Sequence, residues 1–165
     1  GWLHTGDLGE LRNEPGTGPE PMLYITGRRK DLIVTANGKN IAPRRIEQRL
    51  ELCPWVARAV AYGDKRPYVT VLIELEYEAI EQWAAERGIA ISREGAHGNS
   101  EVRGLIDTEL SLANERLAPF EQIKDAVILP RPLSVAEGEL TDTLKVKRTV
   151  VLRRYRAMLD ELYKS

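Results

Sequence analysis

Thr26-Gly27-Arg28-Arg29-Lys30-Asp31-Leu32-Ile33-Val34-Thr35-Ala36-Asn37-Gly38-Lys39-Asn40-Ile41-Ala42-Pro43 is the stretch that decides the fold of this 165-residue chain. It joins a charged, Gly-bearing elbow to a short apolar strand, an Asn37-Gly38 turn, a second short strand and a Pro-started helix. An Asn-Gly pair between apolar runs predicts a tight hairpin of type I′, whose two central residues both need positive φ. The reading is a small hairpin directly after a hinge.

Upstream of the elbow, Leu8-Gly9-Glu10-Leu11 and Met22-Leu23-Tyr24-Ile25-Thr26 are β-prone, and the polar Pro- and Gly-rich segment from Arg12 to Pro21 reads as the exposed loop between them. A two-stranded ribbon is marginal alone in water, so these strands are expected to belong to a larger sheet. The chain opens on Gly1 without a Met, as if cut from something longer.

Downstream, Pro43 suits a first helical position, and Ile46, Leu50 and Cys53 follow at helical spacing until Pro54. Val56 to Tyr62 and Tyr68 to Leu75 read as two core strands around a Gly63-Asp64 turn. Ile80, Trp83, Ala84 and Arg87 mark a second helix closed by Gly88. Residues 89–99 turn polar and are expected to be a mobile loop. Ser100 is expected to cap a helix with the stripe Val102, Leu105, Ile106, Leu110, Ala113 and Leu117. Ile123 to Leu129 supplies a third strand, Pro130 to Thr143 an irregular loop, and Val151, Tyr155, Met158, Leu159 and Leu162 the apolar face of a final helix. The order predicts an α+β fold: a three-stranded mixed sheet flanked by helices, preceded by a hinge and a two-stranded hairpin.

Composition bounds the function. With 24 Lys and Arg against 25 Asp and Glu, the net charge of -1 gives no general pull toward nucleic acid or an anionic membrane, and basic residues are not interleaved with aromatics. Cys53 is alone, which fits a reducing compartment, so a cytoplasmic location is the default, with peripheral membrane association left open. No run reaches the roughly 18 apolar residues of a membrane span. His4 and His97 have no metal-ligand spacing to a Cys or carboxylate. Arg148, Arg153, Arg154 and Arg156 read as a solvated basic face.

Three stretches taken together are more specific. Trp2-Leu3-His4-Thr5-Gly6-Asp7, the segment Gly27 to Glu47 and the segment Leu140 to Arg148 resemble, in order, the Thr-Gly-Asp, hinge-hairpin and C-terminal lysine motifs of the adenylate-forming (AMP-binding) superfamily. The resemblance is to its C-terminal domain, and most to bacterial long-chain fatty acid:CoA ligases. It implies a two-step reaction in which a carboxylate attacks the α-phosphate of Mg-ATP and the thiol of coenzyme A then displaces AMP from the acyl-adenylate.

The resemblance also implies residue roles. Asp7 and Arg28 would contact the ATP ribose, Lys145 would bridge carboxylate and α-phosphate as the catalytic cation, Lys30 would be the hinge, and Gly38 would approach the CoA channel. Each has a plain structural alternative: a turn Asp, a surface ion pair, a basic helix start, a solvated Lys and a turn Gly. Glu47 reads as structural. Lys39 and the Ala36-Asn37 pair depart from the usual pattern at the hairpin. Residues 1-29 are expected to be terminal strands of a missing N-terminal domain and residues 30-165 a mobile lid. The phosphate loop, the adenine and acyl pockets, the Mg2+ ligand and most contacts to ATP and CoA would lie in that missing domain, so the 165 residues alone should not turn over. The competing reading is a stand-alone interaction module that docks an acyl carrier or partner enzyme.

Overall fold

The computed structural model describes residues 5–13 and 20–164. The Trp2-His4 part of the first motif and the centre of the expected Arg12–Pro21 loop lie outside them.

The body of the fold is the expected mixed sheet. Strands β5 (Val56–Tyr62), β6 (Val69–Leu75) and β7 (Ile123–Ile128) stand in that order, β5 antiparallel and β7 parallel to β6. Side chains alternate across a strand, so each strand feeds both faces. Ala59, Ala61, Val71, Ile73, Ala126 and Ile128 bury against α1 (Pro43–Leu50), α2 (Tyr77–Glu86) and α3 (Ser100–Asn114) through Ile46, Leu50, Ile80, Trp83, Val102 and Ile106. Val60, Leu72 and Val127 point the other way, onto Leu133, Leu140, Val151, Tyr155 and Leu159. Every residue of β6 is buried, as a central strand covered on both faces requires.

Before this body come two small antiparallel pairs. β1 (Asp7–Arg12) pairs with β2 (Met22–Arg28), and β3 (Ile33–Val34) pairs with β4 (Asn40–Ile41). The first ribbon leaves Leu11, Leu23 and Ile25 at 66%, 66% and 63% exposure, because it has no helix of its own to cover it. A 3-10 turn, Arg29–Asp31, joins the two pairs. The second pair is part of the body: Ile33 and Ile41 enter the core, the Val34 amide donates to Asp64 at 3.1 Å, and the Lys65 and Ala36 amides donate to the Val34 and Arg66 carbonyls at 2.8 and 2.9 Å.

Local expectations are corrected at five places. The hairpin is not a two-residue I′ turn, since Gly38 takes positive φ (72°) and Asn37 does not. Instead Thr35 to Gly38 form a four-residue turn closed by the Gly38 amide on the Thr35 carbonyl at 2.9 Å, with left-handed Gly38 restoring the strand direction. Asn99, not Ser100, caps α3, its side chain accepting from the Glu101 and Val102 amides at 2.9 and 3.2 Å. The 89–99 segment is anchored rather than mobile: Ala96 is buried and Ile89 and Ile91 pack on the core. The last helix is divided at Tyr155 into α4 (Arg148–Arg154) and α5 (Arg156–Glu161), although Val151, Tyr155 and Leu159 keep one buried face. Met158, expected on that face, is 40% exposed.

Candidate functional site

A cleft of about 840 Å³ opens between the first ribbon and the body. Asp7, Gly27 and Arg28 line it from β1 and β2, Arg44 and Glu47 from α1, Arg58 from β5, and Lys145 and Arg148 from the segment leading into α4. The structure therefore brings together three of the five sequence-derived candidates, Asp7, Arg28 and Lys145. Lys30 lies beside it in the 3-10 turn, in a hollow shared with Thr5, Gly6, Arg28 and Arg29. Gly38 stands apart at the hairpin tip, with open space where a Cβ would be.

The charges in the cleft are not equivalent. Arg28 faces Asp7 at 3.4 Å, Arg44 pairs with Glu51 at 3.0 Å, Arg58 with Glu74 at 2.8 Å, and Arg148 with Glu47. Lys145 has no ion pair among the described residues and its side chain is exposed. Among the cations that line the cleft in the described residues, it alone has no carboxylate partner. Burial pushes the Glu74 carboxyl upward against the pull of Arg58, and its Oε2 is buried without a hydrogen bond.

A shared backbone device holds Lys145 and Lys39. Thr141 to Leu144 form a turn in which the Leu144 amide donates to the Thr141 carbonyl at 2.8 Å. The Thr141 amide donates to the Lys145 carbonyl at 2.8 Å, and the Lys145 amide to Thr141 Oγ1 at 3.0 Å. Thr35 to Lys39 repeat every one of these bonds. The fourth residue is left-handed in both, Gly38 at φ 72° and Leu144 at φ 59°. A leucine there carries about 1 kcal/mol of strain that glycine does not, so the lysine tip holds its shape against its own backbone preference. The irregular loop expected from Pro130 to Thr143 thus runs into a tight turn at Lys145.

Glu47 is structural, as read, but its partners were not legible. β5 is an edge strand, and its outward Ala61 amide donates to Glu47 Oε1 at 2.9 Å while its carbonyl accepts from Arg148 Nη1 at 2.8 Å. The ion pair thus satisfies an open sheet edge. Arg103 does the same for β7, donating to the Ala126 carbonyl at 2.8 Å and to Asp125 at 2.6 Å. The expected solvated basic face holds for Arg153, Arg154 and Arg156, which are exposed even where Arg154 pairs with Glu137 and Glu139 and Arg156 with Asp160, and it fails for Arg148, which turns inward to Glu47. Arg58 went unnoticed because a lone Arg between alanines carries no sequence signal.

Residues 30–165 match the family model described as the AMP-binding enzyme C-terminal domain. The chain belongs to that family. A long-chain-fatty-acid–CoA ligase of Mycobacterium tuberculosis is 36% identical over 165 residues, covering 99% of this chain and 26% of the relative. A second long-chain-fatty-acid–CoA ligase, from Gallus gallus, is 34% identical over 182 residues, covering 99% of this chain and 23% of the relative. The chain thus spans about a quarter of the length of the curated relatives it matches. Among solved structures, the A domain of a carboxylic acid reductase from Segniliparus rugosus, in complex with AMP and a carboxylic acid, superposes with a TM-score of 0.72. Its identity is 24%, covering 96% of this chain and 23% of that one, so it speaks to the fold alone. The α+β architecture of this AMP-binding C-terminal domain is the one those structures share. Among the described residues no helix is long and apolar enough to cross a membrane, and no cluster of three or more His, Cys, Asp or Glu could hold a metal ion.

Proposed function

We propose that this chain is the C-terminal lid of an ATP-dependent fatty acid:CoA ligase, with residues 30–165 as the moving part and residues 1–29 as terminal strands of a larger N-terminal domain. The observation that carries this reading is the cleft in which Lys145, unpaired among the described residues, shares walls with Asp7 and Arg28. The apolar side chains left exposed on the first ribbon support the division, because they are surface that a larger sheet would cover.

In the first half-reaction the fatty carboxylate and the α-phosphate of ATP bring two anions together. Asp7, released from Arg28, accepts from the ribose hydroxyls, and Arg28 donates to the ribose. Lys145 spans the carboxylate and the phosphate and neutralises charge that spreads over phosphoryl oxygens in the transition state. Its work is positioning and electrostatics, and losing one such preorganised donor typically costs about 100- to 1,000-fold in rate. Mg2+ would neutralise the remaining phosphate charge, and the described residues offer no cluster of three or more His, Cys, Asp or Glu to hold it.

For the second half-reaction the site needs the thiol of coenzyme A in place of the lysine. Rotation about Lys30 in the exposed 3-10 turn withdraws Lys145 and brings forward the hairpin, where bare Gly38 leaves room for the pantetheine arm. Because the hairpin is bonded to the body, it travels with residues 30–165 as one piece. The ligase works beside a cytoplasmic supply of ATP and CoA.

The test joins this chain to the N-terminal three quarters of the Mycobacterium tuberculosis relative and compares Lys145→Ala with the parent. Fatty-acid-dependent pyrophosphate exchange should fall by about 100-fold or more, while thioester formation from preformed acyl-AMP stays close to the parent. Equal slowing of both steps, or of neither, removes Lys145 from the role.

A further inference from the structure

At the base of the lysine turn lies a charge cluster around one buried carboxylate, which the two half-reactions do not use. Glu139 has no exposed surface, yet its carboxylate receives five hydrogen bonds. Arg131 donates two, at 2.9 and 3.0 Å, Arg154 one at 2.9 Å, the Tyr155 hydroxyl one at 3.2 Å and the Ser134 amide one at 3.1 Å. The donors come from the start of the 130–147 segment and from the last helices, so one side chain gathers three pieces of chain. Burial works to raise its pKa, but Arg131, the Ser134 amide and Arg154 outweigh it and hold the carboxyl below its ordinary value.

The backbone of the same residue forms the root of the lysine tip. The Lys147 amide donates to the Glu139 carbonyl at 2.8 Å, Leu140 bridges Val146 in antiparallel fashion, and the Thr141 amide meets the Lys145 carbonyl at 2.8 Å. Residues 139–147 are therefore a miniature ribbon with Lys145 at its tip, strained Leu144 beside it and Glu139 at its base. An apolar side chain would fill a buried site at less cost than a carboxylate. What a carboxylate with five directed bonds adds is a single position and orientation for the strand it belongs to.

We propose that Glu139 is a positioning residue: its buried bonding pattern holds the 139–147 ribbon in one register and so presents the Lys145 ammonium at one place in the cleft. The proposal rests on the reading of Lys145 as the adenylation cation. Glu139 touches no substrate. It limits how much orientational freedom Lys145 must lose when the two anions arrive, which is where a misplaced catalytic group forfeits rate.

Glu139→Gln keeps the shape and removes the charge, and it is read in two ways. In the 165-residue chain, hydrogen exchange should speed up about tenfold or more at the Lys145 and Lys147 amides and stay unchanged at the β5–β6 amides, which a general loss of stability would also expose. In the ligase assembled as above, kcat for pyrophosphate exchange should fall about tenfold or more with KM for ATP unchanged, and thioester formation from acyl-AMP should not move. Should Glu139→Gln fail to fold, Arg154→Met withdraws one partner and should give the same pattern at about threefold. Unchanged protection at Lys145 and Lys147, or lost protection without slower pyrophosphate exchange, overturns the proposal. If Lys145→Ala leaves pyrophosphate exchange intact, the underlying reading has failed instead, and the exchange data separately decide whether Glu139 holds the ribbon.

Discussion

Arg148→Met removes one half of the ion pair that closes the β5 edge, and its cost can be worked from the geometry. The Glu47 side chain is 7% exposed and the Arg148 side chain 23%. Breaking a buried pair by deleting one partner typically costs about 3–5 kcal/mol, and the partial exposure of Arg148 scales this to about 2–3 kcal/mol. Part of that loss is the Ala61 carbonyl, which surrenders its donor, and the rest is a carboxylate stranded against a single amide. For a chain of this size the midpoint of thermal unfolding should drop by about 5–10 °C. Glu47→Gln in the same background leaves an acceptor for the Ala61 amide but no buried charge, so the double variant should recover about 1–2 kcal/mol relative to Arg148→Met alone. Urea and thermal unfolding of the four proteins close the cycle, and a buried pair predicts little change in coupling between low and high salt. A loss below about 0.5 kcal/mol for Arg148→Met, or strictly additive variants, would refute the assignment of Glu47 and Arg148 as one unit.

Other perturbations test other parts. Lys30→Pro restricts φ in the turn between the ribbon and the body, and in the assembled ligase it should spare pyrophosphate exchange while slowing thioester formation roughly tenfold; normal rates in both would move the hinge elsewhere. Gly38→Ala meets no atom within 4 Å, so its price is the left-handed backbone alone, about 1 kcal/mol by urea unfolding, and a loss above about 2 kcal/mol would reveal packing at the tip. Burial pushes the Cys53 thiol from 9.0 up to about 11, so Ellman's reagent at pH 8 should react with the folded chain roughly 100-fold more slowly than with the unfolded chain, and equal rates would contradict that burial.

How far the sequence carried depends on where the deciding partner lies. β5, β6, α2 and α3 were legible because their signal is a local period: alternation from Val69 to Leu75, and the recurrence of Val102, Ile106 and Leu110 down one helix face. The turn at Asn37 was misjudged because Asn-Gly pairs serve both the two-residue hairpin and longer turns in which only the Gly is left-handed. Asn99 and Ser100 are adjacent residues of nearly equal capping strength, and only the direction of the Asn99 carbonyl oxygen chose between them. For the site, Asp7, Arg28 and Lys145 were reached through motifs, whereas the isolation of Lys145 was not. That isolation is a statement about Arg148 and Glu47, 101 residues apart, about Arg58 and Glu74 across a strand pair, and about Glu139 turned inward; no window of sequence contains it.

Glu47 and Arg148 grip the backbone of Ala61 from the same open edge, Glu47 by accepting from its amide and Arg148 by donating to its carbonyl. Glu47 follows the hairpin on α1, and Arg148 comes three residues after Lys145 at the start of α4. The helix that follows the hairpin and the helix that follows the lysine turn are therefore tied to each other through one residue of the sheet edge. Either turn can change its outward side chains while that shared anchor stays as it is.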